Sequence, residues 1–108
     1  MSTTTAKFRA LEASERLPEA YVNVYYLDDL KRRVSVARVD GKLYAFDDLC
    51  PHEACPLSSG LLTGTTLMCQ CHGSKFDVTT GELLRGPATA PLVTYEARDH
   101  DGQIEVRV

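Results

Sequence analysis

Along most of the chain, hydrophobic and polar residues alternate with a period of two. Residues 21–26, YVNVYY, are β-branched and aromatic, which favours a strand. Residues 34–39, VSVARV, alternate and run into Asp40-Gly41, a hairpin turn signal. Residues 42–46, KLYAF, make the returning strand, with Leu43 and Ala45 on one face and Tyr44 and Phe46 on the other. VTYEAR (93–98) and QIEVRV (103–108) flank Asp99-His100-Asp101-Gly102 and predict a second hairpin. Lys7 to Leu11 predicts an edge strand, and Ser14 to Glu19 a short capped turn interrupted at Pro18. No window of about 12 residues carries a helical stripe. The pattern predicts an all-β, antiparallel framework.

Residues 47–92 have a different texture. They hold all four cysteines, four of the five prolines and most of the glycines. This stretch reads as a loop-rich subdomain set into a β framework supplied by residues 1–46 and 93–108. Thr79-Thr80-Gly81 marks a turn within it, and Gly86-Pro87 opens a further loop. The whole length, 108 residues, fits one domain, 1–108.

With 44% hydrophobic and 25% charged residues the chain is globular rather than disordered. A net charge of −3, with no basic run longer than Lys31-Arg32-Arg33, argues against nucleic acid as the main partner. No apolar segment approaches the ~20 residues that a membrane span needs. The N-terminus, MSTTTAKFRA, has no apolar signal region, so a cytoplasmic protein is expected. In that compartment clustered cysteines more often bind metal than form stable disulfides.

The chemistry is concentrated in two hexapeptides, CPHEAC (50–55) and CQCHGS (69–74), which hold every cysteine and two of the three histidines. Read as Cys50-x-His52 and Cys69-x-x-His72, they offer two thiolates and two imidazoles, with sixteen residues between His52 and Cys69. That is enough chain for a hairpin to bring both pairs together. Zinc accepts two cysteines and two histidines, but usually with two to four residues between paired ligands. The single residue between Cys50 and His52 fits better if two metals share the set, one taking the sulfurs and the other the nitrogens. No nucleophile–base pair and no phosphate-cradling glycine motif is present, so these residues offer no sign of an enzyme.

Residues 50–81, CPHEACPLSSGLLTGTTLMCQCHGSKFDVTTG, resemble the Rieske iron–sulfur family, as do GPATAPL (86–92), the YEAR strand and the terminal GQIEV. The resemblance covers roughly residues 21–108, and by size and the absence of an apolar anchor the chain resembles the soluble Rieske-type ferredoxins that serve bacterial ring-hydroxylating oxygenases. It implies the Rieske fold, a β-sandwich framework with a small cluster-binding subdomain, and one 2Fe–2S cluster. It implies that Cys50 and Cys69 hold the inner iron and His52 and His72 the outer one. The implied partners are a ferredoxin reductase and a terminal aromatic-ring-hydroxylating oxygenase, docking transiently near His52 and His72. The alternatives are a Rieske subunit of another redox complex (respiratory or photosynthetic chain, arsenite oxidase, nitrite reductase small subunit) and a zinc-stapled structural module.

The resemblance also assigns the neighbours. Cys55 and Cys71 stand where higher-potential members carry a disulfide tying the two cluster loops; many oxygenase ferredoxins lack that pair. Ser74 stands where those members place a hydroxyl donor to a cluster sulfur, and Phe76 where they carry a tyrosine. One donor kept and one missing implies a potential between the family's extremes, lowered by Ser74→Ala and raised by Phe76→Tyr. Gly73 is expected to allow close backbone approach to the cluster, and Pro87 to lie in a third loop covering it. Phe76, Leu67 and Met68 also read as core residues, and His100 as solvated surface. Asp47, Asp48 and Glu53 are expected to form an acidic docking rim. Reduction should raise the proton affinity of exposed histidine ligands, so the potential should fall as pH rises through their titration. Voltammetry across neutral to alkaline pH checks this; a flat potential would overturn it.

Overall fold

In the computed structural model, which describes residues 7–49, 55–71 and 73–108, every alternating segment is extended. The strands among the described residues are β1 (Phe8–Ala13), β2 (Val22–Leu27), β3 (Arg32–Val39), β4 (Lys42–Asp47), β5 (Leu61–Thr63), β6 (Thr66–Met68), β7 (Lys75–Asp77), β8 (Leu83–Arg85), β9 (Thr94–His100) and β10 (Gln103–Arg107). They form a six-stranded sheet, in the order β1-β10-β9-β4-β3-β2, and a four-stranded sheet, β5-β6-β7-β8. All pairings are antiparallel. No helix among the described residues is long and apolar enough to cross a membrane.

The larger sheet curls on itself at β9. Its first residues, Thr94 and Tyr95, pair with Phe46 and Ala45 of β4, and its later ones pair with β10. The two halves enclose one core, in which Leu27, Val34, Val36, Leu43 and Ala45 meet Ile104, Val106 and Leu17. The opposite face of β3 and β4 carries Ala37, Val39 and Phe46 into a second core with Leu57, Leu67, Phe76, Val78, Ala88 and Leu92. The predicted facing of Leu43/Ala45 against Tyr44/Phe46 thus separates two cores. Complete burial of one such large side chain, Phe46, is worth roughly 1.5–3 kcal/mol.

Both hairpins form with two-residue connections in which both residues have positive φ: Asp40 (52°) and Gly41 (77°), Asp101 (51°) and Gly102 (75°). The second is tighter than the sequence pattern suggests, because Asp99 and His100 continue β9 and pair with Ile104 and Gln103. His100 is exposed beside Asp101. Residues 47–92 hold a second sheet where loops are expected. Its strands are three residues long, too short for alternation to register. The turn after β1 is a 3-10 turn, Ser14–Arg16, with no side-chain cap. The Ser14 hydroxyl donates to Asp99 instead.

Arg38 is the hub of that corner. Its guanidinium donates to the carbonyls of Leu17 (2.7 Å) and Ser14 (3.1 Å) and to both carboxylate oxygens of Asp99 (3.1 and 3.2 Å). Its bond, followed by that from Ser14, holds the Asp99 carboxyl below the usual carboxylate range. Arg38→Met should cost about 1–3 kcal/mol, read by thermal or denaturant unfolding. The depressed Asp99 pKa adds stability above its unfolded value that is lost as pH falls through its folded value. The variant should therefore also show a shallower loss of stability on the acid side.

Candidate metal centre

Cys69 follows β6 directly and is wholly buried, packed in the core that includes Phe46, Leu57, Leu67 and Phe76. The hairpin loop it opens is closed by two backbone bonds, from Cys69 N–H to Ser74 C=O (2.8 Å) and from Gly73 N–H to Cys69 C=O (3.0 Å). Gly73 has a φ of +81°, a conformation that glycine adopts without the penalty of a Cβ. A Cβ built there would meet no atom within 4 Å. Among the described residues, then, the turn accounts for this glycine, and the expected crowding has no counterpart in protein atoms. Cys71 lies exposed in the same loop.

The other cysteine loop is clasped at its base. Asp48, wholly buried, accepts from the Leu57 N–H through its backbone oxygen (2.5 Å) and from the Ser58 N–H (2.8 Å) and the Ser35 hydroxyl (2.7 Å) through Oδ1. Arg33 Nη2 lies 2.9 Å from Oδ2, an ionic contact outside good hydrogen-bond alignment. Leu49 and Pro56 form a bridge across the loop's mouth. Gly60, just beyond, must be a glycine, because a Cβ there would stand 2.3 Å from the Met68 carbonyl oxygen. A disulfide between Cys55 and Cys71, with Cα atoms 6.5 Å apart, joins the two loops. The Sγ atoms of Cys55, Cys69 and Cys71 all lie within 4.8 Å of one another.

A third loop joins through Ser74. Its buried hydroxyl oxygen accepts from the Ala88 N–H at 2.9 Å, leaving the hydroxyl hydrogen free to donate elsewhere. Ala88 is the buried member of this loop, and Pro87 is exposed. Phe76 is wholly buried and packs in the core with Cys69.

Cys50, His52, Glu53 and His72 lie outside the described residues. Of the expected acidic rim, Asp48 is corrected to an interior anchor, since its carboxylate faces Ser35, Ser58 and Arg33 rather than solvent. Asp47 is half-buried and accepts from the Tyr95 hydroxyl at 2.6 Å; burial, then that bond, pushes the Tyr95 phenol up to about 12. The network around Asp48 is not apparent from the sequence, where the residue reads as one more acid in a polar loop. Ser35, a buried polar residue between Val34 and Val36, is the signal that points to it.

The donor set fits an iron–sulfur centre: one buried thiol on a tightly closed loop, a second cysteine-bearing loop strapped to it, and a buried hydroxyl with a spare hydrogen. The Rieske [2Fe-2S] domain family matches residues 7–96, and the chain belongs to this family. Its cofactor is accordingly of the 2Fe–2S kind, which decides against zinc. The chain is 38% identical over 105 residues to sulredoxin of Sulfurisphaera tokodaii, covering 90% of this chain and 92% of that protein. It is 32% identical over 77 residues to the ferredoxin component of the naphthalene 1,2-dioxygenase/salicylate 5-hydroxylase systems of a Ralstonia species, covering 71% and 74%. Among solved structures it is similar to a chain in the complex of reduced oxygenase and oxidized ferredoxin in carbazole 1,9a-dioxygenase. The TM-score there is 0.87, at 28% identity, over 93% of this chain and 92% of that one.

Asp48→Ala leaves the Ser58 amide and the Ser35 hydroxyl unpartnered in the interior. It should cost about 2 kcal/mol or more in unfolding experiments, with Asp48→Asn recovering part of the loss.

Proposed function

We propose that this chain is a one-electron carrier, not a catalyst, taking electrons from a ferredoxin reductase and delivering them to a terminal aromatic-ring-hydroxylating oxygenase. The observation that carries the reading is the buried Cys69 thiol, on a hairpin loop strapped to the other cysteine loop, in a chain of the Rieske family. Relatives named as dioxygenase ferredoxin components support the partner class.

In this reading one 2Fe–2S cluster is held by Cys50 and Cys69 at one iron and by His52 and His72 at the other. Bound there, it supplies a one-electron couple in the range of about −150 to +300 mV that two neutral imidazole ligands give. The rest falls to the chain. Cys69 arrives from the end of β6, so its sulfur is fixed by the sheet rather than by a free loop. Ser74 is oriented by the Ala88 amide, so its hydrogen is the one left to give to a cluster sulfur. Phe76 and Ala88 keep water from the buried side. The Cys55–Cys71 strap fixes the two loops relative to each other, which limits movement of the ligands when the charge changes. Docking is transient and occurs at the edge bearing His52 and His72, over an interface under about 1,200 Å².

A second reading, a carrier in another redox chain, is favoured by the strap and by the likeness to sulredoxin. Reconstitution separates the two. Reductase and oxygenase should turn over an aromatic substrate only when the loaded chain is added, and failure with every pair tried moves the assignment to the second reading. Within either, Ser74→Ala should lower the potential by about 20–65 mV, the equivalent of a hydrogen bond worth ~0.5–1.5 kcal/mol, as read by voltammetry.

A further inference from the structure

Cys69 has a neighbour that electron transfer does not use. Its sulfur lies within 4.8 Å of both sulfurs of the Cys55–Cys71 disulfide. A thiol so placed is a nucleophile beside a disulfide. The two ends of the strap differ: Cys71 is exposed and Cys55 half-buried. Attack at Cys71 would close a ring through the single residue Gln70, inside a hairpin already tied by the Cys69–Ser74 and Gly73–Cys69 backbone bonds. Attack at Cys55 joins two separate loops and expels the sulfur that solvent can receive.

We propose that the three sulfurs form a thiol–disulfide exchange site that acts whenever Cys69 is not bound to iron. The sulfur of Cys69 bonds to that of Cys55, the Cys55–Cys71 bond breaks, and Cys71 takes up the proton that Cys69 gives up. One disulfide and one thiol are present before and after, so no oxidant or reductant is consumed. The exchange carries a free thiol from a buried position to an exposed one. Its consequence rests on the reading of Cys69 as an iron ligand: the rearranged chain has that ligand locked in a disulfide and cannot accept a cluster until a thiol reductant frees it. Loss of the cluster is thereby made reversible only under reducing conditions.

The test uses the full chain, loaded or stripped of iron by a chelator at neutral pH, without thiol and without oxygen. Exposed thiols are alkylated with iodoacetamide in the native state. The rest are blocked with N-ethylmaleimide after denaturation, and the links are mapped by mass spectrometry. The stripped chain should gain the iodoacetamide label at Cys71 and a Cys55–Cys69 link, with its total thiol count unchanged. The loaded chain should keep the Cys55–Cys71 link alone. A stripped chain that keeps that link and leaves Cys71 unlabelled overturns the proposal. So does Cys69→Ser if it still gains the label, because another thiol is then the attacker. Iron and sulfide are then added back, with the cluster read by visible absorption and EPR. The aged stripped chain should fail to reload until dithiothreitol is present. If no preparation forms a cluster, with or without reductant, the ligand assignment fails, while the exchange stands or falls on the peptide map. If the map shows exchange but the aged chain reloads without reductant, the lock is overturned.

Discussion

Burial of β3 and β4 on both faces is the constraint on which the rest of the structure depends. A strand with one wet face needs apolar residues only at alternate positions. Here Val34 and Val36 enter one core while Ala37 and Val39 enter the other. The central hairpin is therefore a shared wall. On one side the curled sheet closes on it through Ile104 and Val106; on the other, the small sheet packs through Leu67 and Phe76, with Leu57 from the 3-10 turn before it. Neither sheet can shift against the wall without opening a core, and close-packed interiors resist such openings.

That wall is also what positions the cysteine loops. Asp48 immediately follows β4, and its side chain reaches back to Ser35 and across to Ser58. The first loop is thus referenced to the wall by buried hydrogen bonds at its base. The second is referenced to it through Cys69 and Phe76, which sit in the same core as Phe46. The third follows through the bond from the Ala88 amide to Ser74. The described parts of three irregular segments are thereby tied to regular ones. In the proposed carrier this would matter, because ligands that hardly move between charge states leave little structural rearrangement to accompany each transfer.

How much of this was legible in the sequence depended on length scale. Strands of six to eight residues announced themselves, since alternation repeats often enough to be read, and the facing of Leu43, Tyr44, Ala45 and Phe46 came with it. Strands β5 to β8 did not, because three residues such as Lys75-Phe76-Asp77 show one apolar position and no period. At the site, cysteine and histidine spacing pointed to the metal chemistry, because few other uses call for those residues in that pattern. The tie between Ser74 and Ala88 was hidden, since a backbone amide leaves no mark in a sequence. Asp48 misled: an acid beside a metal motif looks like surface charge, and the inward Ser35, the Ser58 amide and the partly exposed Arg33 together make its burial tolerable.

The strap poses a question of magnitude. Closing a loop of the 16-residue separation between Cys55 and Cys71 restricts the unfolded chain by about 3 kcal/mol in the chain-entropy picture. That is a sizeable part of the roughly 5–15 kcal/mol typical of a folded domain. Yet the cores, the Asp48 clasp and the hairpin bonds of residues 69–74 already hold the bases of both loops. Stability alone therefore does not require a bond at this spot, and a link elsewhere of equal span would serve as well. What is particular to this spot is proximity: the link lies against the one cysteine among the described residues that is not already bonded. In the proposed reading, with Cys69 as an iron ligand, a disulfide beside it steadies the loops while that thiol is occupied and is chemically exposed to it otherwise. On that reading the same closeness that steadies the loops ties their covalent state to the state of the centre.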